Sequence, residues 1–358
     1  MWGAGGDGFH SKELTLNLVF VDISTSLPGQ SEIFKAAMKL EQPLSFNPIF
    51  KLALWGGTRL AQEFLKETGD APDVAESWEV SDLPGNISHV SSGVFAGWTL
   101  RKLMEEYPVD LLGRHQSLDR FPIMVKFLDA RQQLSVQVHP KDPALMSDGV
   151  WRTGKAECWV VIAADSSSQM HLGLRSGVSE QQFRRALESG DFEDCLYVYR
   201  AQPGDCIYLE PGTIHSLGGG LLIAEIQQPS DVTYRLYDWE RLDATGQPRE
   251  LHVEAGIAAT NFDQGPILPI TPRQWPGRPY SEELVTSPHF VVHRHFGPAD
   301  LTLANDNAMH VFVMLNGTAR QGEFHINQGQ TIVIPAARKE FHWHLSADAI
   351  LLDSHLPL

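Results

Sequence analysis

Beyond residue 120 the chain is punctuated by short apolar runs, each bounded by Gly, Pro or Asp: FPIMVKFLDA, QQLSVQVHP, ECWVVIAA, DCIYLEPG, GLLIAEIQQ and VTYRLYDW. Runs of this length between turn formers predict strands, and their succession predicts a closed or sandwiched antiparallel sheet. Two stretches follow the helical period instead. In WTLRKLMEEYPVDLLG, Leu100, Leu103 and Met104 share one face. Further on, Ser179 with Gln182 forms a capping box, Phe183, Ala186 and Leu187 supply an apolar stripe, and Gly190 stands where that helix should end. This insert, near 179–190, is expected to pack outside the sheet.

The pattern also suggests a division of the chain. Residues 1–37 have a flexible composition and read as an extension outside the fold, with Met38 just before the first structured stretch. Within them GAGGDG formally matches GxGxxG, but no strand precedes it as a dinucleotide fingerprint requires. A larger β-domain is expected over 38–265, a Pro-rich linker over 266–282, and a smaller β-domain over 283–358, where HFVVHRHF, MHVFVMLNG, QTIVIPA and AILLDS again read as strands.

Composition narrows the function classes. The 358 residues, 42% hydrophobic and 20% charged, suffice for two compact domains. Against 28 basic residues stand 44 acidic ones, a net charge of −16, which argues against an extended nucleic-acid surface. A small phosphorylated ligand remains compatible, because a few basic groups inside one cleft set the local potential there. Cys158, Cys195 and Cys206 form no CxxC pair and no disulfide framework, which points to a reducing compartment. No apolar run reaches the length of about 18 residues that a membrane helix needs. The apolar stretch 14–21 has no basic region before it and ends at Asp22, so no signal peptide is expected and a cytoplasmic location is.

Side chains alternate faces along a strand, and the chemistry-bearing residues follow that rule. In LSVQVHPKD, Gln137 and His139 project to one side while Val136 and Val138 project to the other. Two donors so placed can reach one ion, although a polar patch on an exposed strand looks the same. Lys155 and Glu157 share a face of GKAECWVVI opposite Ala156, Cys158 and Val160. GDCIYLEPGTIHSLGGG reads as a hairpin, framed by Gly204 and a turn at residues 210–213, that delivers His215 near its end. Gln137, His139, Glu157 and His215 are N/O donors without a cysteine, which suits an open, catalytic zinc site; iron, manganese or nickel would accept the same set. In EIQQPSDVTYRLYDW, Asp231, Thr233, Arg235 and Tyr237 are expected on one face. Arg235 is suited to anionic oxygens, while a solvated edge strand with an Asp–Arg pair would read alike. Glu225 is polar within a strongly apolar strand and is a candidate substrate contact or a support for one.

In this order PLSFNPIFKLALWGG, QVHPKD, GKAECW, PGTIHSLGGG and QQPSDVTYRLYDW resemble the class I mannose-6-phosphate isomerases, in their compact bacterial branch, over residues 44–259. The resemblance implies a mainly β fold of two cupin-like (jelly-roll) β-barrel domains, with a short helical segment and helices packed outside. It implies one zinc per chain on Gln137, His139, Glu157 and His215, catalytic roles for Lys155, Arg235 and Asp231, and interconversion of mannose 6-phosphate and fructose 6-phosphate. The C-terminal domain would be a degenerate second cupin, with Glu340 standing where His215 stands in the first. His342 and His344 alternate on a strand there but lack an accompanying Gln-His and Glu pattern, so no metal is expected on them.

Moving a carbonyl between adjacent carbons needs a base for the carbon-bound proton and positive charge at the developing enediolate oxygens. Asp231 is a candidate base. Lys155 is another, provided burial and a neighbouring zinc lower its pKa. Lys141 and Glu225 are expected substrate contacts, Lys141 at the phosphate. The expected partner is a small phosphorylated sugar, without nucleic acid or membrane, for a monomer or homodimer. A metal-dependent cupin oxygenase would not need Lys155 and Arg235 facing inward, and a non-catalytic sugar-binding cupin would bind without conversion.

Overall fold

The computed structural model describes residues 39–142, 154–243, 245–304 and 306–358, together with the backbone of 144–145 and 151–152. The expected extension at 1–37 lies outside the described residues. Two antiparallel sheets carry the first half. One has six strands in the order Cys206–Leu209, Glu157–Ala164, Leu221–Gln227, Met124–Ala130, Val74–Val80 and Ile49–Gly57. The other has five, in the order Leu196–Arg200, Gln169–Leu174, His215–Leu217, Val136–Val138 and Tyr234–Tyr237. They face each other across a core in which Trp159, Val161 and Ile223 of the first meet Met170, Leu172 and Leu217 of the second.

The strand pattern follows from what covers each face. Met124–Ala130 and Leu221–Gln227 lie in mid-sheet and are buried along their whole length, which is why they read as continuous apolar runs. Val136–Val138 alternates. Val136 and Val138 point away from the sandwich into a second core with Phe183, Leu236 and Ile257, supplied partly by the helices Glu180–Ser189 and Val253–Ala259. The Glu180–Ser189 helix starts at the expected capping box and stops at Gly190 with φ 85°, a left-handed conformation that glycine takes without steric cost.

Two local expectations are corrected. Residues 206–217 do not form a hairpin: Cys206–Leu209 pairs with Glu157–Ala164 in one sheet, while His215–Leu217 pairs in the other, so the turn carries the chain across the sandwich. The last face is also interrupted. A register shift between Arg235 and Tyr237 rotates Tyr237 onto Phe192, ring centres 4.5 Å apart, and away from Asp231, Thr233 and Arg235.

The second half is again two sheets. The eight-stranded one runs Arg273–Gln274, Ser281–Thr286, Val291–Phe296, Ile350–His355, His310–Asn316, Thr331–Ile334, Leu44–Asn47 and His89–Val90. The four-stranded one comprises Ala299–Ala304, Glu340–Leu345, Thr318–Gln321 and Phe324–Asn327, and the two enclose Leu301, Phe312, Met314, Phe341, Trp343 and Leu351. The mainly β, cupin-type architecture is therefore present. Strand pairing spans the expected division at 266–282, and residues of that stretch themselves bond to the first two sheets. Leu44 and Ser45 pair with Val333 and Ile332, Ile267 donates its N–H to Leu172 O, and Ile270 donates to Cys206 O. Residues Leu40–Leu358 form one compact unit.

Candidate active site

Sheet register builds the site. Across the five-stranded sheet Arg235, Gln137 and His215 lie side by side on adjacent strands. Across the six-stranded sheet Trp159, Glu225, Lys126 and Trp78 form a second row. Between the sheets lies a cavity of about 300 Å³ whose lining includes Gln137, Lys155, Trp159, Glu225, Asp231 and Arg235. His215 can occupy its place because the chain behind it closes tightly: a Cβ on Gly218 would fall 1.9 Å from Gln169 O.

Behind Gln137 and Lys155, the side chains of His139, Glu157 and His215 converge until one ligand atom from each lies within 4.8 Å of the others. His139 Nε2 is 3.1 Å from Glu157 Oε1, and His215 Nε2 is 3.6 Å from Oε2. All three are at most 1% exposed. Each imidazole is fixed from behind: His139 donates its Nδ1–H to Val232 O at 2.7 Å, and His215 donates its own to Thr213 O at 2.8 Å. Both Nε2 lone pairs therefore point at the carboxylate, as metal-binding histidines are commonly held. Neither oxygen of Glu157 accepts a hydrogen bond of proper geometry, although Lys155 Nζ approaches Oε1 to 2.6 Å. Burial penalises the charged form of both rings, which lowers the His139 pKa and takes that of His215 to about 3, so both are neutral ligands at pH 7. Burial alone would raise the Glu157 pKa, but Lys155 and His139 hold it well below the carboxylate range. Two neutral imidazoles and a carboxylate whose oxygens accept no hydrogen bond suit a divalent borderline metal such as zinc.

Gln137 stands beside this group with its amide nitrogen 3.3 Å from His215 Nε2, and its oxygen receives Ser135 Oγ at 3.4 Å. A half-turn of the amide would bring the oxygen to the same place. Arg235 lines the cavity, donates from Nη1 to Glu250 O at 2.8 Å and keeps a buried Nε without a partner. Asp231 lies at the mouth, its side chain 58% exposed and 3.9 Å from Lys126 Nζ. Glu225 is buried, accepts from Trp159 Nε1 at 3.1 Å, and is pushed up to about 8 by burial and by Glu157. Burial alone would lower the Lys155 pKa, but Glu157 and Glu225 raise it above the ordinary lysine value. Lys141 is exposed beside Gly212 and is not among the residues lining the cavity.

The structure adds Lys126 and Arg249 to the cavity wall, with Glu76 and Trp55. Lys126, 3% exposed, sits 3.2 Å from Glu76 and 3.9 Å from both Glu225 and Asp231. Its signal was present in MVKFLDA, as a lone charge in an apolar strand. A family model for the type I phosphomannose isomerase catalytic domain matches residues 44–149. The chain is 32% identical over 322 residues to the mannose-6-phosphate isomerase of Streptococcus mutans, covering 88% of this chain and 99% of that one. It belongs to the type I phosphomannose isomerase family. Within that family it is also 38% identical to mannose-6-phosphate isomerase ManA of Bacillus subtilis over 216 residues, 60% of this chain and 67% of that one. The crystal structure of the mannose 6-phosphate isomerase from Bacillus subtilis superposes with a TM-score of 0.80 at 29% identity, covering 88% of this chain and all of that chain. The Bacillus subtilis structure thus shares the overall fold of this chain.

Proposed function

We propose that this protein is a zinc-dependent aldose–ketose isomerase that interconverts mannose 6-phosphate and fructose 6-phosphate in the cavity between its first two sheets. The observation that carries the reading is the buried meeting of His139, Glu157 and His215, with both Nδ1–H groups held by backbone carbonyls, both Nε2 atoms turned to the carboxylate, and neither carboxylate oxygen accepting a hydrogen bond. These residues, with Gln137 after its half-turn, would hold one zinc per chain. Bound there, the metal supplies Lewis acidity and a seat for the sugar oxygens.

The chain's own residues would do the rest. Lys126, Lys155, Arg235 and Arg249 face the cavity against Glu76, Glu225 and Asp231, so the lining is locally basic in a chain of net charge −16. Arg235 holds negative charge on the substrate through its unpartnered Nε. Lys155, beside Glu157 at the floor, adds positive charge there. Asp231, the carboxylate at the mouth, moves the proton between adjacent carbons. Trp55 and Trp159 exclude water from the reacting face.

The test is direct. Purified protein supplied with mannose 6-phosphate should form fructose 6-phosphate, lose that activity to a chelator and regain it with Zn²⁺. Activity that survives complete chelation would remove the metal from the proposal, and Asp231→Asn with full activity would remove its base.

A further inference from the structure

The largest cluster of ligand-type side chains outside the cavity lies in the eight-stranded sheet. His293 and His295 come from Val291–Phe296, His310 from His310–Asn316, and Asp353 and His355 from Ile350–His355. The three strands are neighbours, with His293 opposite Asp353 and His310 opposite His355. Leu351 and Phe312, two residues from Asp353 and His310 on the same strands, pack in the core between the sheets, so alternation turns the cluster inward. We propose that this cluster is a second divalent transition-metal site, taking Zn²⁺ or Co²⁺ on imidazole and carboxylate donors.

The hydrogen bonds prepare it for that. His310 donates its Nδ1–H to Asp353 Oδ1 at 2.7 Å, and His355 donates its own to Leu356 O at 2.8 Å, so each presents Nε2 as a lone pair. His295 Nδ1 lies 2.8 Å from Ser281 Oγ. On the other side, His295 Nε2, Asp353 Oδ2 and His293 Nδ1 are buried without any hydrogen-bond partner. His295 and Asp353 are 0% and 1% exposed, so bulk water does not reach them.

The ring spacing is compatible with one shared ion. Donors about 2.1 Å from a shared metal are at most about 4.2 Å apart, and two imidazoles on it have ring centres within about 6.5 Å. His295 Nε2 and Asp353 Oδ2 are 4.0 Å apart. The ring centres of His310 and His355 are 4.9 Å apart, those of His293 and His355 5.5 Å, and those of His293 and His295 6.4 Å. Among the described residues the three-donor convergence within 4.8 Å occurs only at His139, Glu157 and His215, so a shared ion here requires at least one imidazole to turn from the position it holds. Trp275 stacks on His293 at 4.0 Å, which limits how far that ring can turn. Entry needs little opening, because His293 and His310 still keep 7% and 8% of their surface in water. His342 and His344 are 58% and 59% exposed and bound to Glu340 and Asp300, and they take no part.

The experiment uses the full chain without a histidine tag, stripped of metal and titrated with Co²⁺. A His139→Ala, His215→Ala double variant removes the first group, with Glu157→Gln as a milder alternative, and neither touches the second sheet pair. It should bind close to one Co²⁺ per chain with visible absorption typical of nitrogen and oxygen ligation. Adding His295→Ala or Asp353→Asn should weaken that binding at least tenfold, while His295→Ala alone leaves isomerase activity unchanged. No Co²⁺ uptake by the double variant, or an affinity indifferent to both His295 and Asp353, overturns the site and leaves the proposed isomerase untouched.

Discussion

Replacing Lys126 by Met keeps the length and apolar stem of the side chain and deletes one buried charge. Three carboxylates surround that charge: Glu76 at 3.2 Å, and Glu225 and Asp231 at 3.9 Å. At an effective dielectric of about 20 the Glu76 pair is worth about 5 kcal/mol of direct attraction; Asp231, 58% exposed, adds little after solvent screening, and Glu225, pushed up to about 8, is mostly uncharged at pH 7. Desolvation of Lys126 offsets much of the sum, so the expected loss is that of a buried pair missing one partner, about 3–5 kcal/mol. With a urea slope of about 3 kcal/mol/M the midpoint falls by roughly 1–1.5 M. The deficit must also depend on pH. Burial raises the Glu76 pKa, and Lys126, the Trp78 hydrogen bond and Lys155 together outweigh it, leaving the group below its usual value. A depressed carboxylate stabilises the fold above its unfolded pKa, and that contribution is lost as pH falls through the folded one. The gap between wild type and variant should therefore be widest near pH 7.5 and narrow below about 4.5. Urea melts of the metal-free proteins at pH 7.5 and pH 4 measure both quantities. A loss under about 1 kcal/mol, or an equal loss at the two pH values, would refute the claim that Lys126 neutralises this wall.

Three further outcomes are expected. Arg235→Ala should lower turnover by about 10²–10³-fold while metal content by mass spectrometry stays unchanged; near-normal activity would remove Arg235 from the reaction. Gly218→Ala places a Cβ 1.9 Å from Gln169 O, so the backbone beside His215 must shift, costing about 1–3 kcal/mol in a melting experiment and weakening metal affinity. Burial lowers the His171 pKa, so the unfolded chain binds more protons and stability should fall as pH drops below about 6.5. His171→Phe should flatten that slope, and an identical slope in the variant would place its origin elsewhere.

The candidate ligand residues were legible because a strand repeats every second residue. Gln137 with His139, and Lys155 with Glu157, needed only that rule to be placed together, and both pairs face the cavity or its floor. What failed was the step from neighbours in sequence to neighbours in a sheet. The residues before His215 look like one hairpin, yet the turn at 210–213 passes from one sheet to the other, and nothing in its composition distinguishes the two routes. Tyr237 was assigned to the face of Arg235 by strict alternation, which a register shift breaks. Arg249 lies outside any strand and had no period to follow. Lys126 was within reach, since the reasoning that singled out Glu225 applies equally to the residue opposite it.

The pairing of Leu44–Asn47 with Thr331–Ile334 has a consequence for how the protein is made. At about 5–20 residues per second, the first strand leaves the ribosome roughly 15–60 s before its partner exists. Until then one hydrogen-bonding edge of that segment has nothing to zip onto, and the final sheet cannot close. Synthesis of the front half alone should leave an adhesive ribbon, and the back half alone a sheet short of its border.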